Sequence, residues 1–109
     1  MNNSAPFMLL RARPAEAIRP RFGAWFQHAH RGDVARIPGI TSVTQGLTPA
    51  GTWLGIYTFA STDTVQAALS SPEAAYARGT WEQWGMELEE LRIEIFAPLF
   101  PLAIYQSAC

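Results

Sequence analysis

The stretch that decides the fold is ITSVTQGLTPAGTWLGIYTFA, residues 40–60. Two runs rich in β-branched and aromatic residues flank a short segment that contains Pro49 and Gly51, residue types that favour tight turns. This pattern predicts a β-hairpin. The two strands of a hairpin are antiparallel neighbours, so residues 40–60 define part of a sheet to which the earlier and later segments must be added.

The residues before the hairpin predict one strand and one helix. PFMLLRAR, residues 6–13, is an apolar run that stops at Pro14, which cannot donate a hydrogen bond to a sheet. From Ala15 to about Arg36, apolar side chains recur with the spacing of one helical face, at Ile18, Phe22, Trp25, Phe26 and Ala29. Pro38 and Gly39 then end this first helix.

The residues after the hairpin predict a second helix in two pieces and a last strand. Ser61 offers a helix N-cap, and Ser71 followed by Pro72 restarts the helix. Residues 91–97 alternate in the way a strand does, and the side chains expected to face inward are Leu91, Ile93, Ile95 and Ala97.

The predicted order is β-α-β-β-α-β, the split βαβ arrangement of ferredoxin-like domains. The expected fold class is α+β, with a four-stranded antiparallel sheet that carries both helices on one face. The chain has 109 residues and no break in composition, which predicts a single domain over residues 1–109. Apolar residues form 49% of the chain and charged residues only 16%, so we expect a second copy to cover the free sheet face in a homodimer.

Charge and cysteine content exclude several classes of function. The net charge is −1, lysine is absent, and the arginines are scattered, which argues against nucleic acid as a partner. Cys109 is the only cysteine, so one chain can build neither a disulfide nor a thiolate metal cluster. The apolar runs are too short to span a membrane and the first residues lack a signal-peptide pattern, which together predict a cytoplasmic protein.

The first helix carries the strongest candidates for chemistry. A helical wheel places Asp33 in the sector of the apolar side chains, where a carboxylate needs a partner, and His30 lies three residues earlier, within reach. Such a pair leaves the second imidazole nitrogen free for general acid or base catalysis. In the alternative interpretation, Gly32 breaks the helix, Asp33 caps a short last turn, and His30 is a satisfied edge residue. His28 lies off the apolar face and is expected to be solvated.

Aromatic residues supply candidates for a substrate pocket. Six of them can bind a flat apolar ligand, or else form core or dimer contacts: Phe22, Trp25, Phe26, Trp53, Trp81 and Trp84. Tyr57 shares a strand face with Trp53, and its hydroxyl needs a partner if buried, so it either polarises a substrate carbonyl or bonds to the backbone. Tyr76 is a weaker candidate.

The sequence contains no glycine-rich phosphate loop, no serine-nucleophile elbow and no cluster of residues at metal-ligand spacing. His28 and His30 are two residues apart, so they point in different directions on a helix and form a poor chelate. Haem ligation is disfavoured because no exposed histidine over an open cavity is evident. We therefore expect chemistry without a metal or another cofactor.

The spacing of Trp25, His30, Asp33, Pro38 and Gly39 resembles the first-helix motif of the EthD-like families in the dimeric α/β-barrel superfamily. In those families an aromatic residue precedes a histidine and an aspartate, and a Pro-Gly turn leads into the second strand. Three further segments resemble the same families: YTFAS, SSPEAAYARGTWEQW and IFAPL. The resemblance thus covers nearly the whole chain.

The resemblance implies a homodimer whose two sheets form a barrel, with a pocket between the helices and the sheet of each subunit. It places His30 at that pocket with Asp33 behind it. Gly32 departs from the family pattern, which often has proline before the aspartate, and this loosens the turn. The superfamily includes isomerases, cyclases, cofactor-independent monooxygenases, haem proteins and members with no known activity.

The resulting hypothesis is a cofactor-independent enzyme that cyclises, isomerises or dehydrates a hydrophobic, carbonyl-bearing compound of a polyketide-like or aromatic type. In it His30 is the acid and base, Asp33 its orienting partner and Tyr57 a donor to a developing oxyanion. One alternative is a monooxygenase in which O2 reacts directly with an electron-rich aromatic compound. Another is a dimeric module that binds a hydrophobic metabolite without catalysis.

Overall fold

A four-stranded antiparallel sheet with helices on one face organises residues 5–98, which are the residues that the computed structural model describes. The strands are β1 Phe7–Pro14, β2 Ile40–Leu47, β3 Trp53–Phe59 and β4 Leu88–Phe96. Their order in the sheet is β2-β3-β1-β4, and each neighbouring pair is antiparallel. This is the ferredoxin-like arrangement, so the predicted α+β fold class is confirmed.

The predicted hairpin is formed by β2 and β3. Its turn depends on Gly51, which has a φ of 93°, a conformation that glycine adopts without steric cost. The Gly51 amide donates a hydrogen bond to the carbonyl of Thr48 at 3.0 Å. Across the hairpin, Val43 pairs with Tyr57 and Gln45 with Gly55, so these four side-chain positions share the face that carries the helices.

The first helical segment is continuous but not uniform. A 3₁₀ turn at Glu16–Ile18 leads into α1 Arg19–Trp25, followed by a π-helical turn at Phe26–His30 and by α2 Arg31–Ala35. The predicted extent of 15–36 is therefore confirmed, and Gly32 does not break the helix. The irregularity lies instead at the π turn, a feature that is frequent at functional sites.

The second helical segment consists of α3 Thr62–Leu69 and α4 Pro72–Gly79, the two pieces that the caps predict. The Ser71 hydroxyl accepts a hydrogen bond from the Ala74 amide at 3.1 Å and so caps α4. Two 3₁₀ turns, Thr80–Gln83 and Gly85–Glu87, then lead into β4.

The predicted bounds of the last strand were wrong at both ends. β4 begins at Leu88 rather than at residue 91, and Ala97 lies beyond its end. The start was missed because Glu89 and Glu90 interrupt the apolar alternation, although Arg13 pairs with Glu90 in the ladder. Leu99, the last residue of the IFAPL segment, lies outside the described residues, as does Cys109.

The core lies between the sheet and the helices. It is built from Leu10 and Ala12 of β1, Tyr57 and Phe59 of β3, and helical side chains such as Phe22. In the part of the chain that the structure describes, no helix is both long enough and apolar enough to cross a membrane.

Candidate functional site

His30 and Tyr57 form a buried hydrogen-bonded pair at the centre of the molecule. His30 ends the π turn, Tyr57 lies in the middle of β3, and the distance between His30 Nε2 and the Tyr57 hydroxyl oxygen is 2.7 Å. Only 2% of His30 and 1% of Tyr57 is exposed to solvent. The other ring nitrogen of His30, Nδ1, is also buried and has no hydrogen-bond partner among the described residues.

Burial changes the protonation of both groups. Removal from water disfavours the imidazolium ion and lowers the pKa of His30 from 6.5 to about 4, so His30 is neutral at pH 7. Burial also raises the pKa of the Tyr57 hydroxyl, and a side-chain hydrogen bond with Gln45 offsets part of that rise. The site therefore holds a neutral imidazole beside a protonated phenol.

Gln45 links the pair to the π turn. Its Nε2 donates a hydrogen bond to the carbonyl of Phe26 at 2.8 Å. Phe26 is the first residue of the turn that carries His30, and Gln45 shares the helix-facing side of the hairpin with Tyr57. Gln45 therefore connects β2 to the turn that positions His30, and its side chain lowers the pKa of the neighbouring Tyr57 hydroxyl.

Gly55 makes room for Tyr57. The two residues lie on the same face of β3, and the Tyr57 ring leans back along the strand over Gly55. A Cβ atom at Gly55 would overlap the Tyr57 hydroxyl and the ring carbons next to it. The bond between Tyr57 and His30 therefore requires a glycine at this position.

Aromatic rings enclose His30. Phe26 stacks on the imidazole with a centroid distance of 5.0 Å and an interplanar angle of 18°. Trp81 meets it edge-on at 5.0 Å, and Trp25 lies at 5.2 Å. Phe26 and His30 are buried, whereas Trp25 and Trp81 are only partly buried and separate the imidazole from solvent. We call Trp25, Phe26 and Trp81 the aromatic cage.

The remaining predicted pocket residues form a second layer. Phe22 and Trp53 contact Phe26 with centroid distances of 5.6 and 5.5 Å, and Trp84 contacts Trp25 at 5.5 Å. All six predicted aromatic residues thus belong to one cluster that surrounds His30. The cluster packs between the helices and the sheet.

The predicted pairing of His30 with Asp33 was wrong. Asp33 Oδ1 accepts a hydrogen bond from Arg36 at 2.9 Å, one helical turn further on, and the partner of His30 is Tyr57. The reason is the π turn, whose wider winding rotates His30 inward relative to the residues of α2. Asp33 and Arg36 instead line an open surface depression of about 250 Å³, together with Glu73 and the exposed Tyr76.

Two residues of the site were missed in the sequence, although each gives a signal. Gln45 is a polar residue two positions from Val43 on the inward face of β2, where an amide must find partners. Gly55 interrupts a strand of large side chains, and an isolated glycine in a strand often marks a close approach of other atoms.

The arrangement supports proton transfer at His30 Nδ1. In one tautomer Nε2–H donates to the Tyr57 oxygen and Nδ1 offers a lone pair, so it is a base. In the other tautomer the Tyr57 hydroxyl donates to Nε2 and Nδ1–H is a donor. Within residues 5–98, no three or more His, Cys, Asp or Glu side chains are grouped so as to hold a metal ion.

Known proteins resemble this chain in structure rather than in sequence. No model of a protein family matches the sequence, and no curated protein does. Rv0793 from Mycobacterium tuberculosis is 19% identical with a TM-score of 0.67, over 88% of this chain and 96% of that protein. An EthD-family protein from Bacillus halodurans is 14% identical with a TM-score of 0.68, over 86% of this chain and 99% of that one.

A further neighbour from Deinococcus radiodurans is named as a candidate antibiotic biosynthesis monooxygenase. It is 9% identical with a TM-score of 0.66, over 86% of this chain and 92% of that protein. At such identities the comparison establishes the fold, and the resemblance to EthD-like proteins that the sequence indicated is confirmed at that level. The chain therefore has the same ferredoxin-like fold as these solved structures.

Proposed function

We propose that the chain is a small cofactor-independent enzyme in which His30 transfers a proton within a hydrophobic aromatic or polyketide-like carbonyl compound. Cyclisation, isomerisation and dehydration are the reaction types that such a transfer supports. One observation carries the proposal: a neutral, buried imidazole is held at Nε2 by Tyr57, while Nδ1, inside the aromatic cage, has no partner among residues 5–98.

The protonation states set the order of events. His30 is neutral at pH 7, so it first removes a proton from the substrate and then returns it at another atom. Tyr57 stays protonated. In the base form of the site its oxygen accepts a hydrogen bond from His30 Nε2–H, which leaves the Nδ1 lone pair free, and its own O–H donates to a developing oxyanion of the substrate during reaction. In this proposal Tyr57 takes over the orienting role that the sequence analysis gave to Asp33.

The aromatic residues around His30 determine which class of ligand can bind there. Because the neighbours of the imidazole are aromatic rings, a flat apolar compound gains dispersion contacts there, whereas a charged one loses its hydration without compensation. His30 Nδ1 is buried in the free protein, so binding next to it requires a ring of the cage to move. Trp25 and Trp81 are the rings that reach the surface and are the gates in this proposal.

A cofactor-independent monooxygenase is the second candidate. Its support is the name of structural neighbours such as the Deinococcus radiodurans protein. Here His30 deprotonates a CH2 group of an electron-rich aromatic compound, and the resulting carbanion reduces O2 directly, so that one oxygen atom becomes a carbonyl of the product and the other leaves as water. Oxygen uptake by the purified protein, treated with a chelator and free of flavin absorbance, distinguishes this reaction from a rearrangement, which consumes no O2.

His30 variants test the proposed function. A panel of hydroxylated aromatic ketones is incubated with the protein, and products are identified by mass spectrometry. We expect His30→Gln, which fits the same space, to lose nearly all turnover and keep the fold, because it removes the imidazole nitrogen that accepts the substrate proton. His28→Gln, with an exposed side chain two residues away, is the matched control.

Two results would discard the catalytic proposal. Turnover that persists in His30→Gln would show that the imidazole is not the base. Ligand binding that is unchanged in a His30→Gln, Tyr57→Phe double variant, without turnover in any variant, would identify a binding module.

An Asp33→Asn variant tests which residue orients His30. We expect it to keep full turnover, because Tyr57 is the residue that bonds to His30. Loss of turnover would show that Asp33 orients His30 when the ligand is bound.

We also propose that the chain is a homodimer formed through the sheet face opposite the helices. Phe7 of β1 stacks on Phe96 of β4 there with a centroid distance of 5.1 Å, and Leu9 pairs with Ile56, which is 39% exposed. These side chains form an apolar patch on a face without helices. A second sheet is the complementary surface that this patch requires.

Ile56→Arg tests the dimer. The substitution places a cation within the apolar patch, and dimer formation would have to bury that charge without a partner, at a large cost in free energy. We therefore expect analytical sedimentation to show a dimer for the parent chain and a monomer for the variant. Met86→Arg is the control, because Met86 is fully exposed on a 3₁₀ turn. Equal sedimentation of the parent chain and Ile56→Arg would contradict the proposed interface.

A further inference from the structure

Strand β4 presents a stripe of aliphatic side chains that the described helices leave uncovered. Leu91, Ile93 and Ile95 are 44%, 48% and 40% exposed, although they lie on the side of the sheet that carries the helices. Their orientation follows from the register, in which they pair with Ala12, Leu10 and Met8 of β1. We call Leu91, Ile93 and Ile95 the β4 stripe.

The stripe lies at the edge of the core rather than on the proposed dimer face. The neighbouring side chains Leu10 and Ala12 are buried under the helices at 2% and 0% exposure. β4 is the outer strand of the sheet, so the helical layer stops one strand short among residues 5–98. The predicted inward orientation of the stripe is confirmed, whereas its burial requires an additional segment.

The chain itself continues with a segment of suitable composition. Residues 99–109 follow directly after β4, and LFPLAIY, residues 99–105, contains only apolar residues and tyrosine. No charged residue occurs in 99–109. Pro98 and Pro101 both follow β4, which ends at Phe96, and proline in such a sequence favours a change of chain direction.

We propose that residues 99–105 fold back along the helix-facing side of β4 and pack against the β4 stripe of the same chain. An extended segment spans about 3.3 Å per residue, so seven residues reach about 23 Å, against about 13 Å from Ile95 to Leu91. The segment is tethered at the end of the stripe, which gives it a large effective concentration over the segment of any second copy.

Disulfide trapping tests this proposal in the full-length chain. Cys109→Ser removes the natural thiol, and Ile93→Cys is combined with Leu102→Cys. We expect an intramolecular disulfide on mild oxidation, seen as faster migration on a non-reducing gel and confirmed by mass spectrometry of peptides. Arg92→Cys with Leu102→Cys is the matched control, because Arg92 faces the opposite side of the sheet and is expected to form no such bond.

Other products of the oxidation would overturn the proposal. A disulfide between two chains would show that the segment of a second copy covers the stripe. The absence of a disulfide in both pairs would show that the segment does not contact the stripe.

Hydrogen exchange gives an independent measure of the contact between residues 99–105 and the β4 stripe. Ending the chain after Pro98 is expected to speed amide exchange in residues 91–95 by about tenfold or more, and unchanged rates would contradict the contact.

Discussion

Gly55→Ala is expected to lower the free energy of unfolding by about 2 to 6 kcal/mol and to disable the site. The added Cβ atom overlaps the Tyr57 hydroxyl, and both residues are buried, so the ring cannot stay where it is. Overpacking of a core costs about 1 to 3 kcal/mol, and leaving His30 Nε2 unpaired costs a similar amount. Urea unfolding measures the stability, and the turnover assay measures the site.

A second strand glycine provides the matched control for this prediction. Gly46 lies on β2, and a Cβ atom there meets no other atom within 4 Å, so Gly46→Ala is expected to leave stability almost unchanged. The cause is tested by a double-mutant cycle. In a Tyr57→Ala background, Gly55→Ala should cost much less than in the parent chain, because the overlapping ring is gone. An equal cost in both backgrounds would show that Tyr57 is not the obstacle.

Much of the fold could be predicted because its strands and helices follow the spacing of apolar residues along the sequence. The hairpin at residues 40–60 combines alternating side chains with a turn at Gly51, and the first helix shows a helical spacing of apolar residues. These signals are local and agree with one another, so they define the order of elements. The start of β4 escaped prediction because Glu89 and Glu90 are accommodated by the exposed edge of the sheet rather than by the core.

The site could be predicted only in part, because its geometry depends on a departure from helical periodicity. A helical wheel assumes 3.6 residues per turn, and the π turn at Phe26–His30 changes the direction of His30. His30 and Tyr57 were both candidates, but they are 27 residues apart, and no local pattern could pair them. On a regular wheel Asp33 shares the apolar sector and lies three residues from His30, so local spacing alone favours the wrong partner.

A fall in pH is expected to destabilise the protein through His30. Its pKa is about 4 in the folded chain and close to the ordinary 6.5 in the unfolded chain. Between these values the unfolded chain binds more protons, so the free energy of unfolding decreases as the pH falls from about 6.5 to 4. Over that window the loss from this one group is about 3 kcal/mol, and above pH 6.5 it makes no difference.

Carboxylates also titrate in the lower half of that window, so the contribution of His30 is measured as a difference between variants. The unfolding free energies of the parent chain and His30→Gln are compared at several pH values, and the parent is expected to lose about 3 kcal/mol more than the variant between pH 7 and pH 4. His28→Gln, which removes the exposed histidine two residues away, is the matched control for the substitution itself. Parallel curves for the parent and His30→Gln would mean that the imidazole binds its proton equally well in both states. A buried neutral histidine, and with it the proposed base, would then be excluded.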